Sequence, residues 1–223
     1  MGSGIGPVGQ AIEDVVVRID ALNSRSFSGV GNTINSLIGG DVLNQTSVTL
    51  ASMGGETAFV FGQAGAFVTS SKTTGVSGSS SRTMAAWVKF GKKATQGVMS
   101  TGANGAGTGM ALETSSTVWT LGQGNSGTAT TVTYNTHQWY YAVYVSQQTS
   151  GTTHNVRLYI NGGLAHTAVV TGINLTDSTL RIGFNNSAIG ISGQISRANF
   201  YKKALTDREI QKNYWNYKSR YGL

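Results

Sequence analysis

A chain of 223 residues with 39% apolar side chains, 31 glycines and only 11% charge is too apolar for disorder and fits a single all-β sandwich domain. Cysteine is absent, which excludes disulfides and thiolate metal sites, and three scattered histidines (His137, His154, His166) do not make a zinc centre. The formal net charge of +7 points to an acidic protein surface rather than to nucleic acid: six bases against two acids lie from Lys202 onward, and no basic stripe interleaves with aromatics elsewhere.

Residues 1–14 read as a glycine-rich arm. Met1 to Gln10 hold four glycines and one proline between isolated apolar residues, which is either a frayed terminus or a segment that orders on a neighbouring subunit with Ile5, Pro7 and Val8 as anchors. The arm has neither the basic nor the apolar region of a signal peptide, and no stretch reaches the ~20 apolar residues of a membrane span. No membrane partner and no secretion are therefore expected, and the glycosylation sequons at Asn44, Asn174 and Asn185 read as chance.

Val15-Val16-Val17-Arg18-Ile19 is a buried-strand candidate, followed by a loop from Asp20 to Gly31. Asn32 to Leu37 is ambiguous, and Asp41 to Leu50 resumes short β structure with Val42, Val48 and Leu50 as core. A Ser/Thr/Gly run from Ser70 to Ser81 reads as a surface loop. Met84, Ala86, Val88 and Phe90 then alternate with Ala85, Trp87 and Lys89, so both phases carry apolar residues, as in a strand covered on both faces, and Trp87 belongs to the core. Between Gly91 and Thr136 glycines break the pattern into short strands such as Gly109 to Glu113 and Val118 to Leu121. Trp119 either faces a partly buried groove or is an exposed sugar-stacking aromatic; a carbohydrate-binding module would use aromatics such as Trp119, Tyr134 or Trp139.

The region from His137 to Ala168 carries the strongest signal. Trp139 to Val145 is crowded with aromatic and β-branched residues, and Val156, Leu158 and Ile160 alternate with Arg157 and Tyr159 before Asn161-Gly162. That spacing predicts a hairpin with a two-residue type I′ turn and a return strand from Leu164 to Val170. From Ile189 to Tyr201 the apolar phase changes between Ile191/Ile195 and Ala198/Phe200, which predicts a bulge near Ser196. Thr206-Asp207-Arg208-Glu209 is a capping box. A helix of roughly three turns is expected after it, with Ile210, Tyr214 and Tyr217 on one face and Lys218 and Arg220 at its end.

These segments, in this order, resemble the laminin-G-like, concanavalin-type jelly-roll domains. The matching stretches are Ala21 to Gly29, Phe59-Val60-Phe61-Gly62, Met84-Ala85-Ala86-Trp87-Val88, His137-x-Trp139-Tyr140, Arg157 to Gly162, Leu180-Arg181-Ile182-Gly183, Gly193 to Tyr201 and Ala204-Leu205-Thr206. The ending, from Asn213-Tyr214 to Lys218-Ser219-Arg220-Tyr221-Gly222-Leu223, resembles the version carried by structural proteins of tailed, especially marine, bacteriophages. The resemblance implies an antiparallel two-sheet jelly roll over residues 15–205 with a carboxy-terminal helix over 206–223 packed on it.

Glycosidases of this architecture need two carboxyls about 5 Å apart, usually acids two or four residues apart on one strand face. None of Glu13, Asp14, Asp20, Asp41, Glu56, Glu113, Asp177, Asp207 and Glu209 forms such a pair outside the helix cap, so no enzyme and no catalytic residue is expected. Many relatives place an acid after the glycine-x-isoleucine of the penultimate strand. Here Gly193-Gln194-Ile195 is followed by Ser196 and Arg197, so calcium is not expected either.

The function that the resemblance implies is that of a non-enzymatic virion structural protein, a head decoration or a tail or fibre component made in the host cytoplasm. It would assemble as a homo-oligomer on the major capsid protein or other virion subunits, with Lys202, Lys203, Lys212, Lys218 and Arg220 as basic contacts. The other reading is a carbohydrate-binding module for surface glycans.

Overall fold

The computed structural model describes residues 14–53, 56–62 and 65–223. It is an all-β sandwich of two eight-stranded antiparallel sheets closed by one short helix. The strands are β1 (Val15–Asp20), β2 (Thr33–Asn35), β3 (Val42–Thr46), β4 (Val48–Met53), β5 (Glu56–Phe61), β6 (Phe67–Thr73), β7 (Arg82–Phe90), β8 (Gln96–Gly102), β9 (Gly109–Thr114), β10 (Val118–Gln123), β11 (Ser126–Thr133), β12 (Trp139–Ser150), β13 (Thr153–Ile160), β14 (Gly163–Val170), β15 (Thr179–Ile182) and β16 (Gly193–Tyr201). Helix α1 (Asp207–Tyr217) runs on into a 3-10 turn, Lys218–Tyr221. The first sheet has the order β14-β13-β12-β7-β16-β5-β4, with β1 also paired to β16; the second has the order β11-β10-β9-β8-β15-β6-β3-β2. Among the described residues no helix is long and apolar enough to cross a membrane.

The Asn161-Gly162 hairpin forms as the pattern requires. Both turn residues take positive φ (51° and 82°), and Ile160 pairs with Gly163 across the turn. A Cβ on Gly162 would approach the Tyr214 ring to 2.9 Å, so glycine also serves the packing of α1 on the turn. The phase change in β16 is a bulge at Ser196: Ile195 pairs with Val88 and Arg197 with Trp87, with Ser196 as the extra residue. The bulge divides β16 between two neighbours. Gly193 to Ile195 pair with β5, whereas Arg197 to Tyr201 pair with β1.

Strand β7 is apolar on both faces because each face is covered. Met84, Ala86, Val88 and Phe90 join the core between the sheets, with Phe59, Leu158, Leu180, Ile182 and Phe200. Ala85 and Trp87 point outward into a second cluster with Trp139, Tyr141, Tyr201, Leu205, Ile210 and Tyr221. The capping box starts α1 there: Glu209 N donates to Thr206 Oγ1 (3.3 Å), and Thr206 N donates to the Glu209 carboxylate (2.8 Å). The chain end then lays Tyr221 on Trp87, ring centres 4.0 Å apart and 16° from parallel.

Beneath this cover sits a charge network. Asp20 and Arg197 are directly paired across β1 and β16, and Arg197 Nη1 donates to Asp20 Oδ2 at 3.2 Å. Arg220 donates to both Asp20 oxygens, at 3.2 and 2.7 Å. Arg197 also lies 3.9 Å over the Tyr217 ring. Burial acts to raise the Asp20 pKa, but the Arg220 hydrogen bonds and the Arg197 charge outweigh it and hold the carboxyl below its ordinary value.

Two sequence expectations are corrected and a third is extended. Val42 is exposed and Leu43 is the core residue, because the chain crosses from the second sheet to the first at Ser47, whose φ is 54°, and apolar alternation does not carry through that turn. The Ser70 to Ser81 stretch is not all loop, since β6 extends to Thr73. Ser70 is buried there, donating to Lys72 O (2.8 Å) and accepting from Leu180 N (2.8 Å). The segment from Gly91 to Thr136 contains two further strands, β8 and β11.

His154 is fully buried on β13, with Nδ1 2.9 Å from Ser146 Oγ. Burial, and secondarily the Arg82 charge, lower its pKa from 6.5 to about 4. Between those values the unfolded chain binds a proton that the folded one refuses, so stability is lost as the pH falls through the window, by at most about 1.4 kcal/mol per pH unit. Urea midpoints at pH 7 and pH 4.5 should fall more for the wild type than for His154→Gln; equal falls would exclude His154 as the cause.

Candidate binding face

The outer faces of the two sheets are built from opposite materials. The first is paved at its centre with aromatic rings and covered there by α1 and the chain end, whereas Leu164 and Val169 of β14 stay exposed at its edge. The second carries short side chains. Its strand register lines up one row across all eight strands: Thr33, Asn44, Thr69, Arg181, Ser100, Ala111, Gly122 and Gly127. These residues point away from the core because their strand neighbours Ile34, Leu43, Val68, Leu180, Ile182, Met110, Leu112 and Leu121 fill it.

Half of this face is covered. The segment from Phe184 to Ile189 lies over β8 and β9, where Asn186 Nδ2 donates to Thr101 O (3.0 Å) and Gly102 O (3.1 Å). Glycine at position 97 permits that approach, since a Cβ there would stand 2.1 Å from Asn185 N. Glu113 lies under the same segment and accepts from Asn185 Nδ2 at 2.7 Å. Burial raises its pKa above the ordinary carboxyl value, an effect the Asn185 bond partly offsets. Ser100 Oγ, Thr120 Oγ1 and Asn186 Oδ1 are buried there without hydrogen-bond partners.

The other half is open. Thr33 and Asn44 are exposed, and Thr69 and Arg181 half-buried. Arg181 stands at the step between the open and covered halves, and among the described residues its guanidinium has no hydrogen bond or ion pair. Diagonally across from it on β6, Phe67 meets Phe184 with ring centres 5.2 Å apart, both half-buried. The open half thus combines hydroxyl and amide groups, one unpaired guanidinium and two partly exposed rings. Hydroxyl-rich ligands are bound by groups of these kinds.

The site residues named from sequence lie elsewhere. Trp119, Tyr134 and Trp139 are 0%, 1% and 5% exposed, so their stacking role is corrected: no ring face reaches solvent. Trp119 and Tyr134 pack against Phe90 between the sheets, and Trp139 donates its indole N–H to Glu56 under the chain end. The strongly exposed aromatic among the described residues is Trp215 on α1, 63% exposed, with Lys218 Nζ 3.7 Å over its ring. Of the other bases, Lys203 pairs with Glu209 (2.7 Å), Lys202 with Asp14 (4.0 Å) and Arg220 with Asp20, while Lys212 is exposed on α1. Ile5, Pro7 and Val8 lie outside the described residues. The sequence pattern by itself does not mark Arg181 and Phe67 as site residues. The alternation Leu180-Arg181-Ile182 was the available signal, because it turns Arg181 outward on a central strand.

Known folds and sequences agree with this architecture. Domain 4 of AbnA, an extracellular arabinanase from Geobacillus stearothermophilus solved with arabinotriose, superposes with a TM-score of 0.64 at 17% identity, over 89% of this chain and 97% of that one. The receptor-binding domain of botulinum neurotoxin type G gives 0.64 at 14% identity, over 91% of this chain and 51% of that one. Trypanosoma rangeli sialidase gives 0.63 at 13% identity, over 93% of this chain. This chain spans about half of the toxin domain and 33% of the sialidase. No curated protein matches the sequence. The model of the concanavalin A-like lectin/glucanases superfamily matches residues 61–211, more than half of the chain, and the chain therefore belongs to that superfamily.

Proposed function

We propose that the protein is a carbohydrate-binding module whose site is the open half of the second sheet. The observation that carries this reading is the row Thr33-Asn44-Thr69-Arg181 left uncovered beside the Phe67–Phe184 pair, while the centre of the opposite outer face is covered by α1 and the chain end. Similarity to a domain solved with arabinotriose and to a toxin receptor-binding domain supports it. The virion-assembly reading has no such support among the neighbours.

Binding without hydrolysis suits the acids present. Glu113 is the carboxyl on this face next to the step, and its partner is the Asn185 amide rather than a second carboxyl. We read the binding as metal-free as well. At the place where relatives carry an acid, Arg197 stands and takes the Asp20 carboxylate, so the residues present do not suit a calcium ion.

The test is retention on a panel of immobilised glycans, with Thr69→Trp as the variant. Thr69 is half-buried on the open row, and a β-favouring indole there covers the floor without entering the core. Retention by the wild type, with at least a tenfold loss in Thr69→Trp at unchanged melting temperature, is the expected result. A panel that retains neither protein, together with co-sedimentation of the wild type with phage particles, would replace this reading by the assembly one.

A further inference from the structure

We infer that the saccharide this face takes is acidic, its carboxylate or sulfate held by Arg181. The inference rests on the binding reading above and adds the charge class of the ligand.

A guanidinium presents five N–H donors in a fixed fork and stays charged at any physiological pH, so a half-buried one is usually matched to a carboxylate or a hydrogen-bonding cage. Of the other buried or partly buried arginines, Arg18 is enclosed beside Tyr201 with Nε and Nη2 unmatched, and the remaining four follow that rule. Arg197 and Arg220 hold Asp20, Arg157 reaches Asp207 (3.5 Å) and Gln147 (2.9 Å), and Arg82 donates to Gly78 O (3.2 Å) and Ser80 O (2.6 Å). Arg181 departs from it. Its cross-strand neighbours are Thr69 and Ser100, neither of which carries charge.

The acids of the same layer are engaged elsewhere. Glu113 is two strands away and one row along, turned to Asn185 beneath the 184–189 segment. Asp41 accepts from Ser71 Oγ at 2.8 Å. An oxyanion on Arg181 therefore meets an unneutralised charge, with the Thr69 and Asn44 side chains beside it for sugar hydroxyls and the Phe67 ring for an apolar sugar face. The formal net charge of +7 adds a long-range attraction of the same sign. A neutral saccharide would leave the fork half-desolvated and unmatched.

The experiment compares three soluble polymers, dextran (neutral), polygalacturonate (carboxylate) and dextran sulfate (sulfate), by affinity electrophoresis at about 150 mM salt, where surface attraction is screened beyond about 8 Å. The variants are Arg181→Gln, Arg181→Lys and, as a charge-matched control, Lys212→Gln. The expected result is binding of one acidic polymer and not of dextran, weakened roughly tenfold to a hundredfold by Arg181→Gln. Arg181→Lys should lose part of that affinity, because an ammonium cannot make the paired fork contact. Lys212→Gln should lose none, and all three variants should melt as the wild type does. Equal losses in Arg181→Gln and Lys212→Gln mean diffuse attraction to a basic surface and overturn the inference. Binding to dextran that Arg181→Gln leaves unchanged also overturns it but leaves the carbohydrate reading standing, whereas retention of no saccharide here or on the glycan panel removes both.

Discussion

Asp20→Ala is expected to destabilise the fold by about 3–5 kcal/mol, because it removes the carboxylate from between two guanidiniums without removing them. The Arg197, Asp20 and Arg220 side chains are 5%, 10% and 16% exposed, so water does not replace the lost partner. Arg197 keeps its seat over the Tyr217 ring, yet a ring quadrupole is worth far less than an ion pair at these depths. Arg220 loses a two-point clamp that ties the chain end to β1. The double variant Asp20→Leu/Arg197→Met should cost less than Asp20→Ala, because it takes out charge of both signs. The sign of the pH dependence follows from the depressed Asp20 pKa. Stability from this carboxylate is full above the unfolded value of about 3.9 and is lost as the pH falls through the lower folded value, so the gap between wild type and Asp20→Ala should narrow below about pH 4. Guanidinium denaturation at pH 7 and pH 3 measures both effects; a cost under about 1 kcal/mol at pH 7 would mean that the network contributes little.

Trp87→Ala is expected to cost about 3–5 kcal/mol as well, by a different route. Trp87 is 1% exposed and carries Tyr221 at 4.0 Å, Tyr141 at 5.1 Å and Tyr214 at 5.9 Å, three near-parallel rings drawn from β12, α1 and the chain end. Its removal leaves a cavity under the helix rather than between the sheets. Local consequences should therefore precede global ones: limited proteolysis ought to cut after Leu205 in Trp87→Ala at temperatures where the sandwich stays protected. Phe90→Ala, between the sheets, should cost a similar amount and expose no preferred cut there. If both variants are cut alike, α1 does not depend on the ring stack.

Much of the architecture was legible because it rests on apolar contrast and turn chemistry. The Asn161-Gly162 turn, the double-faced β7, the bulge at Ser196 and the Thr206/Glu209 box each follow from a few neighbouring residues, and each forms. The strands of the second sheet were harder. On β8 through β11 the outward positions include Gly97, Ser100, Ala111, Gly122 and Gly127, whose small size serves close backbone approach or a low surface, so that Glu113 and Thr120 alone give little polar-apolar alternation to detect. The glycan candidates failed for a related reason. Residue type alone does not place an aromatic: Trp119 and Tyr134 fill the space between the sheets and Trp139 lies under the chain end, so burial is set by which layers meet. The outward direction of Arg181 was readable from its neighbours; its lack of a partner is a property of the assembled sheet.

Both ends of the described chain lie on the same layer. Strand β1 belongs to the first sheet, and the final residues from Lys218 to Leu223 pack on that sheet's outer side. A tether fused after Leu223 thus starts on the back of the sandwich, with its thickness between tether and open face. Copies fixed to a bead by that end would present their faces to solution rather than to the support. For weak individual contacts, that geometry lets several copies engage one polymer at once, so apparent affinity on a dense surface should rise with the number of copies displayed.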